Sequence, residues 1–267
     1  MIYSELETPS DKVYPGEARP SIPGVEIFAG IKFVRIPPGK FLMGSRDDNP
    51  LALETEKPQH TVEIPKTYWL GRFPVTNEQY AIYLEGSGNK HDWVKDWKKR
   101  LDHPVENISW KDAMAFCDWL NNIFGEELPS GYAFRLPTEA EWEKAARGEF
   151  GFEWPWGNEF DANNRISSEG GKDGTTPVGA YSRQGDSPFG CADLVGNVWE
   201  WTHSLWKPYR YEANDGREDP KSVDNRVLRG GSFLSYRRLA RCAYRDGFRP
   251  GDRDGYLGFR VGVLSPI

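Results

Sequence analysis

The chain of 267 residues is long enough for one large core or two modest ones, and no Pro/Gly-rich or charged linker divides it, so a single domain is expected. A formal charge of -6 leaves no general field for nucleic acid or an anionic membrane, no apolar run approaches the roughly 18 residues of a membrane span, and residues 1–17 show no apolar or basic leader. Cys117, Cys191 and Cys242 have no CxxC spacing, which argues against a disulfide framework or a thiolate zinc site, so the expected setting is reducing and cytoplasmic, with no membrane partner.

Residues 1–30, with Pro9, Pro15, Pro20 and Pro23, read as an extended arm, and residues 31–267 as the domain. From Ile31 the pattern changes to short pieces, Ile31–Ile36, Gly39–Met43, His60–Ile64 and Thr67–Gly71, separated by Pro and Gly, which predict a small antiparallel sheet. Three capping boxes then mark helix starts: Thr76 with Gln79, Ser109 with Asp112, and Thr138 with Glu141. Tyr80, Tyr83 and Leu84 follow the first at helical spacing and predict a helix over Asn77–Glu85. Ala113, Phe116, Cys117, Leu120 and Ile123 form an apolar stripe after the second, with Cys117 as core, and Trp142, Ala145 and Ala146 follow the third. From Trp154 onward the chain is dense in Gly, Asp, Asn and aromatic residues, and few helices are expected. Eleven Trp and 28 Gly fit a loop-rich α+β fold with large rings in its interior.

Seven segments, in order, resemble the formylglycine-generating-enzyme (sulfatase-modifying factor) family. They are Phe33–Gly39 with Phe41–Ser45, Pro74–Tyr80, Arg135–Glu143, Pro155–Gly157, Leu194–Trp201, Arg229–Ser232 and Gly258–Val261. The resemblance implies a C-type-lectin-like fold of short twisted antiparallel sheets, a few helices and much irregular structure. It also implies a structural calcium ion bound by the carboxylates of Asp193 and Glu200 and the carbonyls of Gly196 and Val198. Hard oxygen donors suit that ion, although the two acids could instead close turns. At a second family site Asn163 matches, but the acidic partner falls in a segment of altered spacing containing Gly170, Gly171, Asp173 and Gly174.

The family's oxidases hold copper(I) between two cysteines that follow the Gly-Gly-Ser turn. Here the first position is Ser235, the second falls near Leu239 or Ala240, and Cys242 matches a structural position. A serine hydroxyl cannot replace a soft thiolate, so no copper is expected and no catalytic residue is assigned. The related sulfoxide synthases use three histidines, whereas His60, His91, His103 and His203 lack HxxxH or HxE pairing. A Ser235–His203 hydrolase pair has no nucleophile elbow to support it.

Residues 232–257 resemble the variable region of diversity-generating-retroelement proteins, which ends in Gly-Phe-Arg-Val. The candidate ligand-binding residues are Phe233, Leu234, Ser235, Tyr236, Leu239, Tyr244, Asp246, Gly247, Phe248, Gly251, Asp252, Asp254, Gly255 and Tyr256. Rigid rings interleaved with Asp and Gly suit recognition. In the alternative the rings are buried and the Arg-Asp alternation from Arg237 to Arg253 is a ladder of surface pairs worth roughly 0–1 kcal/mol each. The expected function is non-catalytic binding of a protein or other macromolecule, with nucleic acid not expected. The alternatives are a divergent family oxidase, formylglycine-generating or sulfoxide-synthase-like, acting on a thiol or peptide, and a structural subunit.

Overall fold

The computed structural model describes residues 24–164 and 174–266. Strands β1 (Val25–Phe28), β2 (Ile31–Ile36), β5 (Tyr68–Gly71), β11 (Gly262–Leu264) and β6 (Ala133–Arg135) lie in that order in an antiparallel sheet. A second sheet holds β10 (Leu257–Phe259), β7 (Trp199–Leu205), β8 (Arg226–Arg229) and β9 (Arg245–Phe248), with β10 parallel to β7 and the other pairs antiparallel. A separate ribbon pairs β3 (Gly39–Met43) with β4 (His60–Ile64). Only Arg260 and Val261 separate β10 from β11, so the chain's end ties the two large sheets together.

Helices α1 (Asn77–Ser87), α2 (Trp110–Phe124) and α3 (Glu139–Arg147) begin at the three capping boxes. Gln79 N donates to Thr76 Oγ1 at 3.3 Å and Thr76 N to Gln79 Oε1 at 3.0 Å, and the other two boxes repeat the exchange. Gly88, at φ 72°, ends α1 by taking a left-handed conformation that costs glycine little.

Ala113, Phe116, Cys117 and Leu120 of the α2 stripe share a core with Trp199, Trp201 and Phe259 of the second sheet, whereas Ile123 at the end of the stripe is exposed. Ring nitrogens in this core are satisfied: Trp201 Nε1 donates to Ile108 O at 2.7 Å, and Trp110 Nε1 to Thr202 O at 3.0 Å.

Two elements depart from the sequence expectation. Strand β1 lies inside the segment assigned to the N-terminal arm, joined to β2 by Ala29-Gly30, both left-handed (φ 51° and 72°). Two left-handed residues make the mirror-image turn that suits a two-residue hairpin, a job usually signalled by Asn-Gly and hidden here by alanine. Helix α3 is buried on every face, charged residues included.

That burial draws a lattice of ion pairs around α3. Glu139 and Glu143 lie one turn apart, and Arg229 donates to both, at 2.8 and 2.6 Å. Arg245 NH2 adds a bond to Glu139 at 2.9 Å, while Arg147 and the Gly44 amide complete Glu143 at 2.6 and 2.7 Å. Burial alone pushes the Glu143 carboxyl up, but the guanidinium groups of Arg229 and Arg147 outweigh it and hold the group below its ordinary value.

Removing one partner of such a pair strands a charge in the interior. Arg229→Met is expected to lower the unfolding free energy by about 3–5 kcal/mol in denaturant titrations followed by tryptophan fluorescence. Arg253→Met breaks a pair with Asp112 in which the arginine side chain is 48% exposed, and should cost no more than about 1 kcal/mol.

Candidate functional site

Beyond β8 the chain turns at Gly230 and Gly231, with φ 89° and 74°. A side chain at 231 would meet Ala240 Cα and Ser235 Oγ at 3.2 Å, so the segment closes tightly on itself. Ser232 N donates to Ser235 Oγ at 2.9 Å, Leu239 N and Ala240 N donate to Tyr236 O at 2.8 and 3.1 Å, and Phe233 N donates to Asn197 O at 3.0 Å. Arg241 then runs inward to Glu56 at 2.6 Å and Glu153 at 2.7 Å, and Arg245 follows it to Glu139. These two arginines are not rungs of a surface ladder. They are buried staples, and Arg237, Arg238 and Arg249 stay at the surface.

Leu234 and Tyr236 project at 55% and 63% exposure, while Phe233, Leu239, Phe248 and Tyr256 are half-buried. Leu239, Phe248 and Tyr256 pack at the margin of the core cluster containing Trp199 and Tyr244, whose rings lie 5.7 Å apart. Gly251, Asp252 and Asp254 are exposed, and Gly255 is half-buried. The Asp252 and Asp254 carboxylates close local turns by accepting from Arg249 N at 3.1 Å and Gly255 N at 2.7 Å. Asp246 is half-buried and accepts from Gly247 N at 2.8 Å, and burial pushes its carboxyl above the ordinary range.

Three expected contact residues are corrected. Ser235 is 3% exposed, its hydroxyl held inward by the Ser232 amide, and Tyr244 is 8% exposed against Trp199. Gly247 is not an open position, because a side chain there would meet Trp206 at 3.0 Å. Trp199, in contrast, was missed as a neighbour of this face. It sits in the Leu194–Trp201 segment, which sequence reasoning assigned to the family resemblance and, through Asp193 to Glu200, to a metal.

Within that metal segment Asp193, Gly196 and Asn197 take left-handed conformations (φ 54°, 91° and 66°), a tightly wound path. Both Glu200 oxygens are nevertheless taken: Arg260 Nε and NH2 donate to Oε2 and Oε1 at 2.6 Å each, and Trp142 Nε1 donates to Oε2 at 2.6 Å. Arg260 NH2 also reaches the carbonyls of Ala192 and Asp193, at 2.9 and 3.3 Å. The residues as placed do not fit calcium, because the charge of Glu200 is matched by a guanidinium that would repel a dication bound to the same carboxylate. Asp193 Oδ2 accepts from Gly179 N at 2.6 Å, and burial pushes its carboxyl up to about 6, against the opposing pull of that amide and Arg260. At the second site, Asn163 N and Nδ2 donate to Asp161 Oδ1 at 2.9 and 3.0 Å; Gly170, Gly171 and Asp173 lie outside the described residues.

All three thiols are buried and unbridged. Burial pushes Cys191 up to about 12 and raises Cys117 and Cys242 as well, so none is available as a thiolate near neutral pH. The histidines are dispersed. His203 Nδ1 meets Glu218 Oε2 at 3.0 Å, whereas the Ser235 hydroxyl accepts from Ser232 N at 2.9 Å, and His60 Nε2 accepts from Tyr211 N at 2.8 Å.

Comparison with known proteins places this geometry. Residues 24–263 match the sulfatase-modifying factor enzyme 1-like domain. The chain is 30% identical to the formylglycine-generating enzyme of Thermomonospora curvata, over 85% of this chain and 91% of that one. It is 31% identical to the inactive C-alpha-formylglycine-generating enzyme 2 of Bos taurus, over 86% and 87%. Among solved structures, PvdO from Pseudomonas aeruginosa superposes with TM-score 0.72 at 24% identity, covering 87% of this chain and 94% of that one. Treponema denticola variable protein 1 superposes with TM-score 0.68 at 24% identity, covering 90% and 98%.

The raised Asp193 carboxyl has a definite sign. The folded state holds its proton more tightly than the unfolded chain, so this group's contribution is complete below about pH 4 and is lost as pH rises to about 6. Because Asp193 is partly exposed, about 2 kcal/mol is a fair size for the loss, and Asp193→Asn should abolish it in urea titrations across that window. Millimolar calcium should leave the melting temperature within about 1 °C, whereas a rise of several degrees that Asp193→Asn removes would show that an ion displaces Arg260.

Proposed function

This chain belongs to the family of sulfatase-modifying factor enzyme 1-like domains, and on that footing we propose that it is a non-catalytic binding protein whose C-terminal segment presents side chains to a macromolecular ligand. The observation that carries the reading is Ser235. Where the family's oxidases place a copper-binding cysteine, this chain has a buried hydroxyl engaged by the Ser232 amide, and its three thiols lie in the core. No soft ligand therefore stands where oxygen chemistry would need it.

Above that hydroxyl the segment projects Leu234 and Tyr236, with Phe233 and Leu239 half-exposed beside them on a backbone braced by Arg241 and Arg245. A rigid base bearing exposed aromatic and aliphatic side chains lowers the ordering cost of binding, and an aromatic anchor contributes much of the energy at such interfaces. The expected ligand is a protein. Two relatives lend support: one of similar coverage is named inactive, and a structure of the same fold is named a variable protein. Surface diversification of residues 232–257 fits that company, with Ser235, Arg241, Tyr244 and Arg245 held constant by the interior they occupy.

The likeness to the Thermomonospora curvata enzyme favours the other reading, an oxidase acting on a thiol or peptide. Purified protein incubated with copper(I), oxygen and a cysteine-containing peptide is expected to yield no aldehyde by mass spectrometry, and turnover would establish the oxidase instead. For the binding reading, Leu234→Asp with Tyr236→Asp should weaken a partner captured by the wild-type chain at least about tenfold, with a melting temperature unchanged within about 2 °C. Equal capture by both forms would remove the segment from the binding face.

A further inference from the structure

Away from the C-terminal segment, the described residues enclose a groove of about 250 Å³ between strand β1 and helices α1 and α2. Its walls are largely apolar and include Ile27, Ile31, Ile82, Phe116, Trp119 and Leu120. Ile27 is 64% exposed on an edge strand, and Ile123, one turn beyond Trp119 and Leu120, is 59% exposed. Gly86 is what lets α1 close on this wall, since a side chain there would meet Trp119 at 3.2 Å. At this volume the groove falls below the roughly 300 Å³ at which small-molecule sites begin, and it opens to solvent beside the exposed Ile27, which suits a few side chains of a larger partner.

The charge on the helices around it is mostly negative. Helix α1 carries Glu78 and Glu85 and no lysine or arginine, α2 carries Asp118 with its single cation, Lys111, at its opposite end, and Glu126 and Glu127 follow α2. Glu127 itself lines the groove. Against these stands Lys32, directly cross-strand from Ile27. The chain's own first 23 residues are poor complements, with four carboxylates (Glu5, Glu7, Asp11, Glu17) against two cations (Lys12, Arg19).

We propose that this groove docks a basic amphipathic segment of a partner protein, its apolar side chains seated between β1 and the two helices and its lysines or arginines facing the acidic rim. The apolar wall provides contact area, and the carboxylates select the charge and speed encounter. This surface is separate from the recognition segment, so the two are testable independently.

The test uses the full chain and two fluorescein-labelled peptides with leucine at helical spacing, one filled out with lysine and the other with glutamate. Fluorescence anisotropy should show the lysine peptide binding at least about tenfold more tightly than the glutamate peptide. Ile27→Ser and Ile123→Ser, both at exposed positions, should each weaken the lysine peptide at least about fivefold. Phe150→Ser, at an 80% exposed position elsewhere, should leave it unchanged. Equal binding of the two peptides, no measurable binding, or indifference to both isoleucine substitutions overturns the proposal.

Discussion

Glu139 and Glu143 enter the interior one helical turn apart, and three separate stretches of chain converge on them with guanidinium groups: Arg147 from α3 itself, Arg229 from β8 and Arg245 from β9. Carboxylates at zero exposure are tolerable only when each charge meets its complement in good hydrogen-bonding geometry. Each arginine therefore carries its backbone to a definite place. The position of the second sheet relative to α3 follows largely from that requirement, and so does the course of the chain between β8 and β9, where the candidate recognition segment lies.

The same logic extends outward through Arg241, which leaves the candidate recognition segment to meet Glu56 and Glu153. It extends inward through Arg260, which joins Glu200 to the carbonyls of Gly71, Arg72 and Ala192 at the crossing of the two large sheets. A guanidinium can bond several planar acceptors at once, which suits it to hold loop-rich structure together. At the Asp193–Glu200 segment this fixed organic cation already balances the charge that the family resemblance assigned to calcium. The scaffold is held by ion pairs of its own chain.

A braced segment of this kind divides its residues sharply. Arg241, Tyr244 and Arg245 belong to the interior and Leu234 and Tyr236 to the solvent, within a dozen positions of one another. Ser235 falls on the interior side. Its hydroxyl performs a turn-closing task that a cysteine thiol, a much weaker hydrogen-bond acceptor, would perform less well.

Much of the architecture was legible along the chain. The capping boxes at Thr76, Ser109 and Thr138 named all three helix starts, and the strand pieces at Ile31–Ile36, Gly39–Met43 and His60–Ile64 stand with those bounds, because caps and alternation are decided by neighbours within four residues. The family and its C-type-lectin-like fold were equally plain from the seven ordered segments. Burial of charge was not legible: Arg241 and Arg253 look alike in sequence, yet one meets Glu56 from 185 positions away in the interior and the other meets Asp112 at the surface. The same holds for Glu200, whose carboxylate reads as a calcium ligand until Arg260 is brought beside it. Sequence determined the helix starts and the strands from Ile31 to Ile64, since those rest on local hydrogen bonding and apolar spacing, and the family, through its ordered motifs. Tertiary structure alone decided which charges are neutralised and which side chains are displayed, because both depend on partners that the chain brings together only when it folds.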